Sequence, residues 1–145
     1  MSPATPCLWR CERGEHGLRE IVTHKVDGLN EAVRIVVLDR PGQGNACHVY
    51  RLVAEGQRDT RGLVPIAYDT TICFQNGPMQ AYGVNGISNE ALLAVVRDRL
   101  EGFQSGPYAC HENANALEGV MQAMQWLRVR TESRVVRGVE GTSQA

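Results

Sequence analysis

The strongest constraint on the fold lies in the last third of the chain. There Leu117, Val120, Met124 and Leu127 recur in steps of three and four residues. That spacing places side chains on one stripe of an α-helix. A stripe of heptad character needs a partner surface, most simply a second helix. The pattern predicts a long helix from about Tyr108 to about Arg137, stopped by Gly138, a residue that tolerates the left-handed turn after a helix. Ahead of it, Leu92, Val95, Val96, Leu100 and Phe103 mark a shorter helix. Its expected N-cap is Ser88, with Glu90 in the first turn, and it should end around Gly102 to Ser105. Gly106-Pro107 separates the two, and Pro107 is well placed to open the second. Two helices joined so closely form an antiparallel hairpin.

The pattern changes near residue 86. Before it, β-branched runs alternate with turn signals, which predicts strands over Leu18 to Val26, Ala32 to Leu38, Ala46 to Ala54 and Thr70 to Gln75. Asp27-Gly28, the loop DRPGQGN at 39–45 and Asn76-Gly77-Pro78 punctuate them, while Pro65 leaves residues 63–67 open. The fold class is therefore α+β: a small antiparallel β domain over 1–85, then a helical hairpin domain with a C-terminal tail over 86–145.

Composition narrows the function. With 15 basic and 16 acidic residues the formal charge is -1, which excludes a nucleic-acid polymer binder that works by bulk electrostatics. No apolar run approaches the roughly 20 residues that span a bilayer, and MSPATPCLWR does not read as a secretory signal, so a cytoplasmic protein with no membrane partner is expected. A chain this short can bury about two thirds of its unfolded surface, enough for a core but little for an internal cavity. A pocket for a large ligand is expected between subunits of a homo-oligomer.

The five cysteines, Cys7, Cys11, Cys47, Cys73 and Cys110, are odd in number and irregular in spacing, which predicts free thiols in a reducing compartment. Cys7 and Cys11, with His16 nearby, lack the second ligand pair that a zinc site wants. Cys47-His48 would lie on opposite faces of a strand. Neither Pro41-Gly42-Gln43-Gly44 nor Gly83-Val84-Asn85-Gly86 leads into the Gly-Lys-Ser/Thr of a P-loop, and no GxGxxG, paired catalytic carboxylates or HExxH occurs. No metal, no cofactor and no catalytic residue is expected.

The residues that look like chemistry lie on the last helix. Arg128, Arg130, Arg134 and Arg137 crowd its end, and the last three share a face. Cations at a helix C-terminus are favoured by its dipole, so a plain basic helix end is one reading. The other is an anion clamp, because guanidinium groups fork onto phosphates and stack on bases. The tail adds Gly138, Gly141 and Thr142, whose small size and hydroxyl allow close approach to a phosphate or base edge. Asn113 lies on the apolar stripe four residues before Leu117. There it either sets the register of the helix pair or reads a ligand's polar edge. Phe103 and Tyr108 flank the loop; they are core aromatics or stacking platforms for a base. Asn113 and Arg130 are seventeen positions apart, about 25 Å along one helix. They grip one small nucleotide only across two copies of the chain, or they belong to two sites.

The run FQSGPYACHENANALEGVMQAMQWLRVRTESRVVRGVEGT, residues 103–142, resembles the helical hairpin shared by phage anti-Thoeris proteins of the first type and phage anti-CBASS cyclic-nucleotide sponges. The matching elements are the F-Q-x-G start, Glu112-Asn113, the Ala/Leu stripe, Trp126-Leu127, Arg130-Thr131, Arg134 and the tail from Arg137 to Thr142. The block FQNGPMQAYGVNGISNEALLAVVRDRL, residues 74–100, also resembles the anti-Thoeris members. The resemblance implies a sponge that is not an enzyme: a phage protein in the host bacterial cytoplasm that binds cyclic ADP-ribose isomers made by TIR proteins and holds them uncleaved. It further implies a cyclic di- or trinucleotide at a second site, and a dimer or hexamer. By the same resemblance Phe103, beside Tyr108, would stack on adenine and Asn113 would hydrogen-bond the ligand. Arg130 and Arg134, with Thr131, would meet phosphates or stack, and Arg137, Gly138, Gly141 and Thr142 would suit the second site. His111 departs from the charged residue usual there. The competing expectations are an enzyme that cleaves the signal and a dimerising protein-interaction module.

Overall fold

The computed structural model describes residues 19–54, 56, 58–63 and 67–144. The chain divides into two compact units between Asn76 and Gly77, ahead of the 85/86 division read from the pattern. The architecture is α+β, an antiparallel sheet followed by a helical hairpin.

The first unit is a four-stranded meander, β1 (Arg19–Ile21), β2 (Val33–Val37), β3 (Val49–Ala54) and β4 (Tyr68–Cys73), each paired antiparallel with the next. Register follows side-chain alternation. Ile35 lies opposite Leu52, and Tyr50 opposite both Val37 and Ile72, so these apolar side chains share one face. Val37 is fully buried. The other face carries ion pairs: Arg34 with Glu20, and Arg51 on β3 with Asp69 on β4. Asp39 secures the approach to β3, accepting from the backbone N–H of His48 and Val49 at 2.8 and 3.0 Å. Tyr50 packs edge-on against Phe74 at 5.6 Å, and burial pushes its hydroxyl pKa up.

Several expectations are corrected here. The first strand stops at Ile21 instead of Val26, because Lys25 N–H turns back to Val22 O and a short helix, α1 (Leu29–Ala32), follows Gly28. Gly28 has φ of 56°, which suits glycine. Cys47 and His48 precede β3 and are not part of it. The expectation of free thiols holds for Cys47 and Cys110 but fails for Cys73, which is disulfide-bonded. Its partner lies outside the described residues, as do Cys7, Cys11, His16 and Pro65. Spacing along the chain carries no record of such a pairing.

The second unit contains α2 (Met79–Tyr82), α3 (Asn89–Gln104) and α4 (His111–Val136). α2 is too short to leave a periodic signal in the sequence. Ser88 caps α3, its hydroxyl accepting from Ala91 N–H at 3.1 Å. α4 starts later than expected. Pro107 lies in the loop, and Cys110 is the N-cap, its Sγ accepting from Asn113 N–H at 3.4 Å. α3 and α4 pack together. The protected stripe of α4 is Asn113, Leu117, Val120, Met124, Leu127, Thr131 and Arg134, and that of α3 includes Leu93, Arg97, Leu100 and Gln104. The stripe expected for α3 holds at Leu92 and Leu100, which are half-buried, but not at Val95 and Val96, 60% and 44% exposed, nor at Phe103, which is exposed too. The α3 sequence carries two overlapping three-and-four series, and the hairpin uses the more polar one.

Candidate functional site

The two ends of α4 gather the candidate residues into two groups. At the loop end stand Phe103 and Tyr108, ring centroids 6.4 Å apart at 82°. Tyr108 is 73% exposed. The loop between them is held by side chains. Ser105 Oγ donates to Gly102 O at 2.9 Å, and Cys110 N–H donates to Gln104 Oε1 at 3.0 Å. Asn113 is half-buried on the stripe and its Nδ2 donates to Tyr108 O at 3.4 Å. Thus an asparagine on an apolar stripe is used to fasten an exposed aromatic loop. Arg99 lies over Phe103, its Cζ 5.3 Å from the ring centroid, a cation–π contact that occupies one ring face. The group can stack a base on an aromatic face and offer a side-chain amide to a polar edge.

At the other end, α4 closes in a Schellman motif. Gly138 has φ of 69°, Gly138 N–H donates to Val135 O and Val139 N–H to Arg134 O. The tail then folds back. Thr142 Oγ1 donates to Val139 O at 2.6 Å, and Gln80 N–H on α2 donates to Gly141 O at 3.3 Å. Gly141 has φ of 77°, and a Cβ there would stand 3.6 Å from the Gln80 side chain. Arg134, read from sequence as a phosphate contact, is turned inward and buried. It donates from Nε to Glu140 Oε2 at 2.8 Å, from Nη1 to Gln144 O at 2.6 Å, and from Nη2 to Val139 O and Thr142 O at 3.0 Å each.

The remaining arginines differ. Arg128 is paired with Glu132 at 2.7 Å, and that hydrogen bond holds its guanidinium pKa above the ordinary value. Arg130 is exposed and makes no hydrogen bond or ion pair among the described residues. Arg137 is the C-cap of α4, with Nε donating to Ser133 O at 3.5 Å. Thr131 sits on the protected stripe. So the structure brings Phe103, Tyr108 and Asn113 together, and separately Arg134, Gly138, Gly141 and Thr142. Among the described residues, no three His, Cys, Asp or Glu side chains are placed to hold a metal ion.

Sequence reasoning missed Arg99, Cys110 and Glu140. Arg99 precedes Phe103 by four residues, a spacing that places both on one helix face. Glu140, a carboxylate six residues after Arg134, was a legible signal for an internal ion pair. Cys110 gave none, since a thiol is an unusual cap.

A family model locates a known domain on this hairpin. The family model described as "Acb2/Tad1, hairpin domain" matches residues 69–132. That span includes Phe103, Tyr108, Asn113, Arg130 and Thr131, and ends before Arg134 and the tail. A protein named "Thoeris anti-defense 1", from Bacillus phage SBSphiJ7, is 46% identical over 74 residues, which is 51% of this chain and 52% of that protein. The chain therefore spans about half the length of the curated relative that it matches.

Proposed function

We propose, for a chain that belongs through residues 69–132 to the Acb2/Tad1 hairpin family, that it is a non-catalytic sponge for cyclic nucleotide immune signals. Its role is phage anti-defence in the host bacterial cytoplasm, in line with the name of the relative from Bacillus phage SBSphiJ7. The carrying observation is that the matched span contains a fastened, solvent-facing aromatic and amide cluster, Phe103, Tyr108 and Asn113. The ligand at this cluster is a cyclic ADP-ribose isomer. Phe103, flanked by Tyr108, stacks on adenine, and Asn113 reads a polar edge. Arg130, whose guanidinium has no partner among the described residues, meets phosphate beside Thr131. A second site, for cyclic di- or trinucleotides, is formed by the tail with Arg137, Gly138, Gly141 and Thr142.

Asn113 and Arg130 lie about 25 Å apart along α4, so one ligand meets both only across a dimer or hexamer. Support for self-association comes from apolar side chains left outside the hairpin. Trp126 is 74% exposed, Val95 60% and Val129 45%, apolar side chains that a second copy could cover.

Incubation with a cyclic ADP-ribose isomer, followed by heat denaturation and chromatography, tests the reading. Recovery of the intact ligand supports sequestration, and a new product marks an enzyme that cleaves the signal. A thermal-shift screen that finds no response to cyclic ADP-ribose isomers or cyclic oligonucleotides leaves a protein-interaction module instead. Arg130→Ala is expected to weaken ligand binding about tenfold or more, the scale of a lost charge-assisted hydrogen bond, with the fold intact.

A further inference from the structure

A guanidinium carries five N–H donors in one plane. Arg134 uses its Nε, one Nη1 and two Nη2 bonds on Glu140, Gln144, Val139 and Thr142. With four donors spent inside the chain, no pair is left to fork onto a phosphate. Three of the four acceptors are main-chain carbonyls of the tail, drawn around one buried cation. Residues 139–144 form neither helix nor strand, so their backbone is held by this convergence together with the bonds of Thr142 to Val139 O and of Gln80 N–H to Gly141 O. Meanwhile the backbone N–H groups of Glu140, Gly141 and Ser143 make no hydrogen bond among the described residues.

We infer that Arg134 is a positioning residue: it pulls the tail's carbonyls inward, fixes residues 139–144 in one conformation, and so preforms the tail for an anionic ligand without touching that ligand. The part concerning the ligand rests on the proposed second site; the hold on the tail does not. Glu140 is the informative partner, because the two roles predict opposite signs for its removal. If Arg134 bound phosphate directly, Glu140 would compete for it, and Glu140→Ala would tighten binding. If Arg134 positions the tail, Glu140→Ala loosens the cage and weakens binding.

The experiment uses the full chain with two readouts: amide hydrogen exchange of the C-terminal peptide without ligand, and titration with cyclic triadenylate. Glu140→Ala is expected to speed exchange of the hydrogen-bonded amides of Val139, Thr142 and Gln144 about tenfold and to weaken cyclic triadenylate binding by a similar factor. Arg134→Lys keeps the charge but loses the fork, and is expected to rescue neither. Unchanged exchange in both variants overturns the inference, and so does tighter binding by Glu140→Ala. Wild-type protein that ignores cyclic triadenylate removes the second-site reading, and the exchange data then decide Arg134's role alone.

Discussion

The loop end and the tail end of α4 are held by opposite means. At the loop end a neutral amide, a thiol and a hydroxyl fasten the backbone and leave two aromatic rings in solvent. At the tail end a charged side chain is buried and wrapped by backbone. The first arrangement gives stacking surface with little strain on the fold. The second commits its arginine to structure and withdraws it from recognition. Residue type alone therefore misleads: the arginine that looks most like a clamp is internal, while Arg130, one turn earlier, has no partner among the described residues.

The sharpest way to break this comparison is Arg134→Ala. Glu140 is partly open to solvent, so the cost is that of the carbonyls left without a donor, about 1–3 kcal/mol. The expected result is a fall in Tm of roughly 3–10 °C, read by calorimetry. A variant that melts like wild type would show that the tail end is not held by Arg134. Phe103→Ala should come next in size and act on recognition. Stacking of a base is worth about 1–3 kcal/mol, so affinity for a cyclic ADP-ribose isomer should fall about tenfold to a hundredfold, with Tm nearly unchanged. A variant that loses stability as much as affinity would mean that Phe103 is a core residue after all.

Asn113→Leu sharpens the contrast from the other side. The position belongs to the protected stripe, where a leucine should add about 1 kcal/mol of burial and outweigh a hydrogen bond of 3.4 Å. The protein is expected to melt higher and, if the proposed site is right, to bind a cyclic ADP-ribose isomer more weakly. Such a divergence is the mark of a position kept polar for recognition, whereas a loss of both properties would assign Asn113 to register alone.

How much of this was legible in the sequence follows from what each feature depends on. The heptad steps of α4, the Ser88 cap and the Gly138 stop depend on neighbours in the chain, and all three were readable. So was the aromatic and amide grouping, because the loop spans few residues. Arg134 was misread because its burial is made by a tail that returns upon it through backbone carbonyls, which have no residue signature. The exposed face of α3 was misread because Val95, Val96 and Phe103 are more apolar than Arg97 and Gln104 of the series the hairpin uses. Apolar side chains left on the outside of a helix read in sequence just like core.

The smallest effect lies in the sheet, where charge is handled in a third way, by exposed pairs across neighbouring strands. The Asp69 carboxylate, hydrogen-bonded by Arg51, is held below its ordinary pKa, and the same contact raises Arg51. Because the folded pKa is the lower one, the pair's contribution is fully present above the unfolded carboxylate value, about 3.9. It is lost as pH falls through the lowered folded value. Both side chains are about half exposed, so solvent and salt screen the pair and its share of stability is small. Tm measured between neutral pH and pH 3 should therefore decline slightly less in Asp69→Asn than in wild type, with the difference confined below about pH 4 and shrinking in high salt. A difference of the same size at neutral and acid pH would assign the loss to the lost cross-strand hydrogen bonds, whose geometry does not titrate, and would remove charge from the account of how this sheet keeps its register.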